Sequence, residues 1–169
     1  MFKKKKIYQW SKKDKFLYLI TLIPFLTAIL LASYVLATVS FYLVIIFLLI
    51  YIVLNVFQAG FCIGCPYRGK YCPSAFGVYL GNFFSSTFYK RRIFDLEFFK
   101  CNATLTTISL IIFLAFPVYW LTVINWPYLA VYLALIIAHI FLFFPTMCPK
   151  CSYNDICTGG QIAQKLLRR

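Results

Sequence analysis

Six of the seven cysteines in this chain fall into two triplets, Cys62-x2-Cys65-x6-Cys72 and Cys148-x2-Cys151-x5-Cys157. Aligning Cys62 with Cys148 also brings Cys65 onto Cys151 and Tyr67 onto Tyr153, and Cys72 meets Cys157 after a single deletion. Thiolate sulfur is the donor that zinc and iron–sulfur clusters share. Two matched triplets are a ligand set rather than a scatter of small hydrophobic side chains. Cys62, Cys65, Cys72, Cys148, Cys151 and Cys157 are therefore the candidate ligands of a metal or cluster.

The residues around the sulfurs bear on which one. Two C-x2-C pairs would satisfy a tetrahedral all-thiolate zinc site, and Cys148-Pro149-Lys150-Cys151 reads like one knuckle of a zinc ribbon. Zinc would leave Cys72 and Cys157 over, and neither loop contains His. Cys65-Pro66 and Cys72-Pro73 are Cys-Pro pairs of the kind that bind iron–sulfur clusters. Ser74 and Thr158 are placed to open short helices whose N–H groups would face the sulfurs, with Arg68, Lys70 and Lys150 adding positive charge. An iron–sulfur cluster is the favoured cofactor, either one [4Fe–4S] held by four of the six cysteines or two clusters with three local ligands each, and zinc is the alternative. A single shared site would place Cys62, Cys65, Cys148 and Cys151 closest and Cys72 and Cys157 at its flanks. The sulfurs of the two loops would then approach within about 10 Å, the scale of a cluster with its ligands.

The elements that carry these loops are apolar helices. Hydrophobic residues make up 63% of the 169, and charged residues only 12%, about half the usual share of a soluble domain. No Asp, Glu, Lys or Arg occurs between Lys15 and Arg68, nor between Lys100 and Lys150. Each block holds two spans of about 20 residues with a tight turn, and the first exceeds the 7–15 apolar residues of a signal peptide. Helices are expected over 16–36, 40–59, 103–123 and 128–144. Pro24 should bend the first, and Pro145 should end the fourth. Short helices are expected over 74–85 and 161–169. Gly77 and Gly81 have the spacing that lets helix backbones approach closely.

The fold class is thus all-α: an integral membrane four-helix bundle of two parallel-repeat hairpins. Each hairpin is followed by a Cys-rich loop and a short helix. Residues 1–100 form the first repeat and residues 101–169 the second. Both hairpins begin and end on one side, so the repeat is parallel rather than inverted.

The net charge of +13 is concentrated at that side. Lys3 to Lys6, Lys12, Lys13 and Lys15 precede the first span. Arg68, Lys70, Lys90, Arg91, Arg92 and Lys100 separate the two blocks, and Lys150, Lys165, Arg168 and Arg169 follow the second. The hairpin turns near Ala37 to Ser40 and at Asn125-Trp126-Pro127 carry no charge. This is a positive-inside distribution, so both termini and both Cys loops are expected in the cytoplasm. It explains the basicity by topology and anionic lipid, not by nucleic acid. Thiols stay reduced there, which argues against disulfides. Thiol exchange by the C-x2-C pairs would leave a third Cys in each loop unexplained.

The topology, together with Tyr71-Cys72-Pro73-Ser74-Ala75-Phe76-Gly77-Val78-Tyr79-Leu80, resembles the membrane polyferredoxin-like subunits of nitrate and nitrous-oxide respiration. Those proteins place Cys-Pro motifs after the helices of a four-helix core. Their motif is C-x3-C-P, whereas this chain has C-x2-C-P and C-x6-C-P. The resemblance implies electron transfer near a quinol pool.

Other residues add little chemistry. His139 is the only His, so two histidines of one chain cannot ligate a haem; a hydrogen bond to a neighbouring helix is its expected role. Asn55 and Gln58 are expected to bond across helices. Cys101, at the start of the third span, is read as structural. The four carboxylates all lie outside the spans, and no phosphate-binding, dinucleotide or hydrolase motif occurs.

The reading is a small membrane iron–sulfur protein relaying electrons between a cytoplasmic donor and a membrane partner or quinone, a subunit rather than a stand-alone enzyme. Its expected partners are membrane lipids, a redox partner protein and quinone, with no nucleic acid. The alternatives are a zinc-stapled scaffold built on the same cysteines and metal delivery or sensing by exposed thiolates.

Overall fold

The computed structural model describes residues 8–63, 65, 67, 82–90, 95–151, 153–155 and 157–167. Among them every regular element is helical. The α-helices are α1 (Lys12–Val39), α2 (Phe41–Ala59), α3 (Asn82–Phe88), α4 (Leu96–Ala115), α5 (Val118–Ile124), α6 (Trp126–Met147) and α7 (Thr158–Leu167). Two 3-10 turns, Gly60–Cys62 and Cys148–Lys150, extend α2 and α6 into the Cys loops.

Four helical segments are long and apolar enough to cross a membrane: Lys12–Val39, Phe41–Cys62, Leu96–Ile124 and Trp126–Lys150. Between 11% and 39% of each apolar stretch is buried inside the bundle. The remainder, including Phe16, Leu30, Tyr34, Phe41 and Phe141, points outward. So much outward apolar surface exceeds what water tolerates, and lipid is the solvent that matches it.

Two single-residue hinges close the hairpins. Ser40 ends α1 by donating its N–H to the Leu36 carbonyl (2.9 Å) and caps α2 by accepting from the Tyr42 N–H. Asn125 ends α5 through the Leu121 carbonyl and opens α6, where the Tyr128 N–H donates to its carbonyl. Both hinges have extended backbone between helical neighbours. A chain in hydrocarbon cannot leave peptide groups unsatisfied, so such short reversals are favoured.

At its other end α1 carries a reciprocal cap. The Asp14 N–H donates to Ser11 Oγ (3.1 Å), and the Ser11 N–H donates to Asp14 Oδ2 (3.0 Å). The sequence announces this in Ser11-x-x-Asp14, and it moves the helix start ahead of the expected residue 16.

The third span also departs from expectation. It begins at Leu96, ahead of residue 103, and breaks at Phe116-Pro117. Asp95 stands at its N-cap position and Glu97 in its first turn, where the helix dipole favours acids. Phe99 and Asn102 of that added stretch are buried. Pro117 has no N–H to continue the ladder, and the Tyr132 hydroxyl donates to the Leu114 carbonyl beside the break (3.1 Å). Pro145 does not end the fourth span, because α6 runs through it to Met147. The tail helix begins at Thr158, the residue expected to open it, and so includes three residues ahead of 161. The described part of the expected 74–85 helix is only its end, within α3. Ser74 and the Gly77 and Gly81 pair lie outside the described residues.

α1 packs most extensively on α6 and α2 on α4, with α1 also against α2 and α5 against α6. The core is aromatic. Phe47 and Phe113 stack at 4.6 Å with planes 8° apart, and Phe25 closes on Phe113 at 6.5 Å. His139 Nδ1 lies 2.7 Å from the Thr21 carbonyl, joining α6 to α1 as expected. A carbonyl only accepts, so Nδ1 carries the proton. Asn55 bonds back to the Tyr51 carbonyl of its own helix, not across to a neighbour.

Phe113→Ala would lose contacts with Phe25, Phe47 and Tyr51. We expect about 2–3 kcal/mol of destabilisation in detergent unfolding, while Phe141→Ala, on the outward face, changes little.

Candidate metal centre

The two Cys loops grow from equivalent local geometry. In each, the second cysteine of the C-x2-C pair donates its N–H to the carbonyl of the first: Cys65 to Cys62 at 3.3 Å and Cys151 to Cys148 at 3.2 Å. This turn puts both sulfurs of a pair on one short stretch of backbone, as a metal knuckle requires. Cys62, Cys65, Cys148, Cys151 and Cys157 are all partly exposed, and none of the described cysteines is in a disulfide. Cys72, with Arg68 and Lys70, lies outside the described residues.

The loops meet at one end of the bundle. Tyr153 donates its hydroxyl to the Ile63 carbonyl in the first C-x2-C turn (3.2 Å). Tyr67 donates its hydroxyl to the Lys150 carbonyl in the second (3.4 Å). Burial, followed by the charges of Cys65, Cys151 and Cys62, pushes the Tyr153 phenol well above its ordinary range. Thiols of both loops therefore act on one phenol. Among the described residues no three Cys, His, Asp or Glu side chains converge as a closed metal shell.

The second loop is tightly tied. Asn154 donates its N–H to the Cys151 carbonyl (3.3 Å) and its amide to the Pro149 carbonyl (2.9 Å). The Cys157 N–H donates to Tyr153, and the Gln161 N–H donates to Cys157, leading into α7. Gly160 lies against Asn154 so closely that a Cβ there would come within 2.5 Å of its backbone.

The first loop rests on α4. Phe61 and Tyr153 both pack on Phe99, with ring centres 5.0 and 4.9 Å away. A Cβ on Gly60 would fall 2.6 Å from the Asn102 side chain. Asn102 is itself held by the Phe98 carbonyl and the Tyr89 hydroxyl. Burial, then the charge of Cys101, raises the Tyr89 phenol. Cys101 is exposed near the start of α4.

Sequence reading missed the leader's part in this assembly. From the sequence, Lys150 is expected to be a counter-charge for the sulfurs. In the structure the Lys150 ammonium pairs with Asp14 at 2.6 Å and lies over the rings of Tyr8 and Trp10, at 5.3 and 5.7 Å. The Tyr8 N–H donates to the Tyr67 hydroxyl (2.7 Å). The leader thus touches both loops. The pattern Ser11-x-x-Asp14 identifies the cap, but no local signal joins Asp14 to a lysine so distant in the chain.

Gly160→Ala must push the Asn154 backbone aside. It should lower stability by about 1–3 kcal/mol and raise the labelling rate of Cys157 by a thiol reagent. Ile162→Ala, exposed on the same helix, should do neither.

Comparison with protein-family models, curated proteins and solved structures finds no match for this chain.

Proposed function

We propose that this chain is a small integral membrane iron–sulfur protein that relays electrons between a cytoplasmic donor and a membrane partner or quinone. The observation that carries the reading is the meeting of the two C-x2-C turns. Tyr153 bridges from the second loop to the Ile63 carbonyl of the first, and Tyr67 crosses in the other direction to the Lys150 carbonyl. The four cysteines of the two turns are the donor type a [4Fe–4S] cluster takes, and the cluster would have to draw them together, since among the described residues they do not converge as a closed shell. Cys157 and Cys72 are the flanking candidate ligands of this proposal, Cys72 lying outside the described residues. A bound cluster would supply one-electron redox chemistry. The chain's residues would hold it, shield it at the bundle end and place it beside the lipid phase. The resemblance to polyferredoxin-like subunits supports the same reading.

The halves 1–100 and 101–169 are, in this proposal, parallel repeats about an axis along the membrane normal. Exchanging them turns the α1–α6 pairing into the α4–α2 pairing, and these are the two most extensive contacts. It also exchanges Ser40 with Asn125 and Tyr67 with Tyr153. Basic residues at the Cys-loop end put that end, with both termini, in the cytoplasm.

Anaerobically purified protein should be brown, contain iron and sulfide, and lose both when Cys62, Cys65, Cys148 or Cys151 is replaced by Ser. Colourless protein holding stoichiometric zinc would reject the redox reading in favour of a zinc-stapled scaffold.

Orientation is tested separately. In a cysteine-free background, Ser40→Cys should react with an impermeant reagent added outside intact cells, and Ser74→Cys should not. The opposite pattern would invert the topology.

A further inference from the structure

We infer that Tyr67 and Tyr153 are paired positioning residues, each hydrogen-bonded to the backbone inside the opposite C-x2-C turn, and that together they set the spacing of the two turns. They occupy equivalent places, two residues after the second cysteine of each pair. Each hydroxyl crosses to the other loop, Tyr67 to the Lys150 carbonyl and Tyr153 to the Ile63 carbonyl. The acceptors differ by one position in their turns, but both lie between the two cysteines.

Those carbonyls are natural handles. The internal bond of each turn uses the carbonyl of its first cysteine, Cys62 or Cys148. The carbonyls of Ile63 and Lys150 accept from outside. Holding such a carbonyl fixes the peptide plane from which the sulfurs project. Partners that orient ligands in this way are worth about 10–100-fold in metal affinity.

Both rings are themselves held. Tyr67 is buried and accepts the Tyr8 N–H, while Tyr153 packs on Phe99, which rests against Phe61. The Tyr153 hydroxyl is a donor to the Ile63 carbonyl, which can only accept. Replacing either tyrosine by phenylalanine keeps the ring and removes the crossing bond; at Tyr67 it also removes the bond from the Tyr8 N–H, so Tyr153→Phe is the cleaner variant.

The metal arm of the test rests on the shared-site reading above; the spacing arm does not. For spacing, a full-length variant retaining only Cys62 and Cys151 is treated in native membranes with a short bifunctional maleimide. Working in membranes removes any dependence on survival in detergent. We expect efficient cross-linking, reduced several-fold by Tyr67→Phe or Tyr153→Phe and unchanged by Tyr119→Phe on the outward surface. For metal, cobalt(II) is titrated into purified protein with all seven cysteines and followed by its thiolate charge-transfer absorption. Each Phe variant should bind about 10–100-fold more weakly.

Cross-linking that falls in the Phe variants, with no cobalt bound by any form, supports the braces and rejects the metal site. Tight cobalt binding with equal cross-linking and equal affinity in all forms overturns the braces and leaves the metal site standing. Failure of Cys62 and Cys151 to cross-link in the parent also overturns the inference.

Discussion

A peptide group in hydrocarbon has no water to bond with, and this requirement shapes the whole molecule. It makes each apolar block a pair of helices and compresses each reversal into one residue. Ser40 and Asn125 therefore end one helix and begin the next. Polar backbone that is not helical gathers at the ends of the bundle. The Cys loops share one end because each block returns to the side from which it started.

Within lipid the helices gain little from hiding apolar surface, since the solvent is itself apolar. Packing shape and a few hydrogen bonds hold them together. The Phe25, Phe47 and Phe113 rings give the centre a fixed shape, and His139 and Tyr132 donate to backbone carbonyls of other helical segments. The break at Pro117 is part of this arrangement, because the Tyr132 hydroxyl meets the backbone beside it.

At the Cys-loop end water is near, and polar contacts take over. Lys150 shows the change of regime. Its carbonyl accepts from Tyr67, its ammonium reaches Asp14, and the same charge lies over Tyr8 and Trp10. One residue within a C-x2-C turn thereby joins the second loop to the first loop and to the leader. Tyr153 makes the reverse crossing to Ile63. Deforming either loop would strain contacts in the other, which is the property a binding site assembled from two distant segments needs.

The sequence by itself determined the solvent, the number of spans, the places of both hairpin turns and the matched Cys triplets. Each of these is local: a run of uncharged residues, a polar hinge, a fixed spacing. His139 was legible too, because a lone imidazole in a span needs a partner. Tertiary structure decided what depends on contacts between distant segments. The start of α4 at Leu96 follows from burying Phe99 and Asn102 against the end of α2, although residues 89–100 read locally as a basic-aromatic connector. Pro145 remains helical because the continuing backbone still closes its bonds, with the Cys148 N–H reaching the Phe144 carbonyl. The pairing of Lys150 with Asp14 and the crossing of Tyr67 and Tyr153 join residues from opposite ends or halves of the chain. No periodicity or spacing encodes such pairs; they form only once helix packing has brought both loops and the leader to the same end of the bundle.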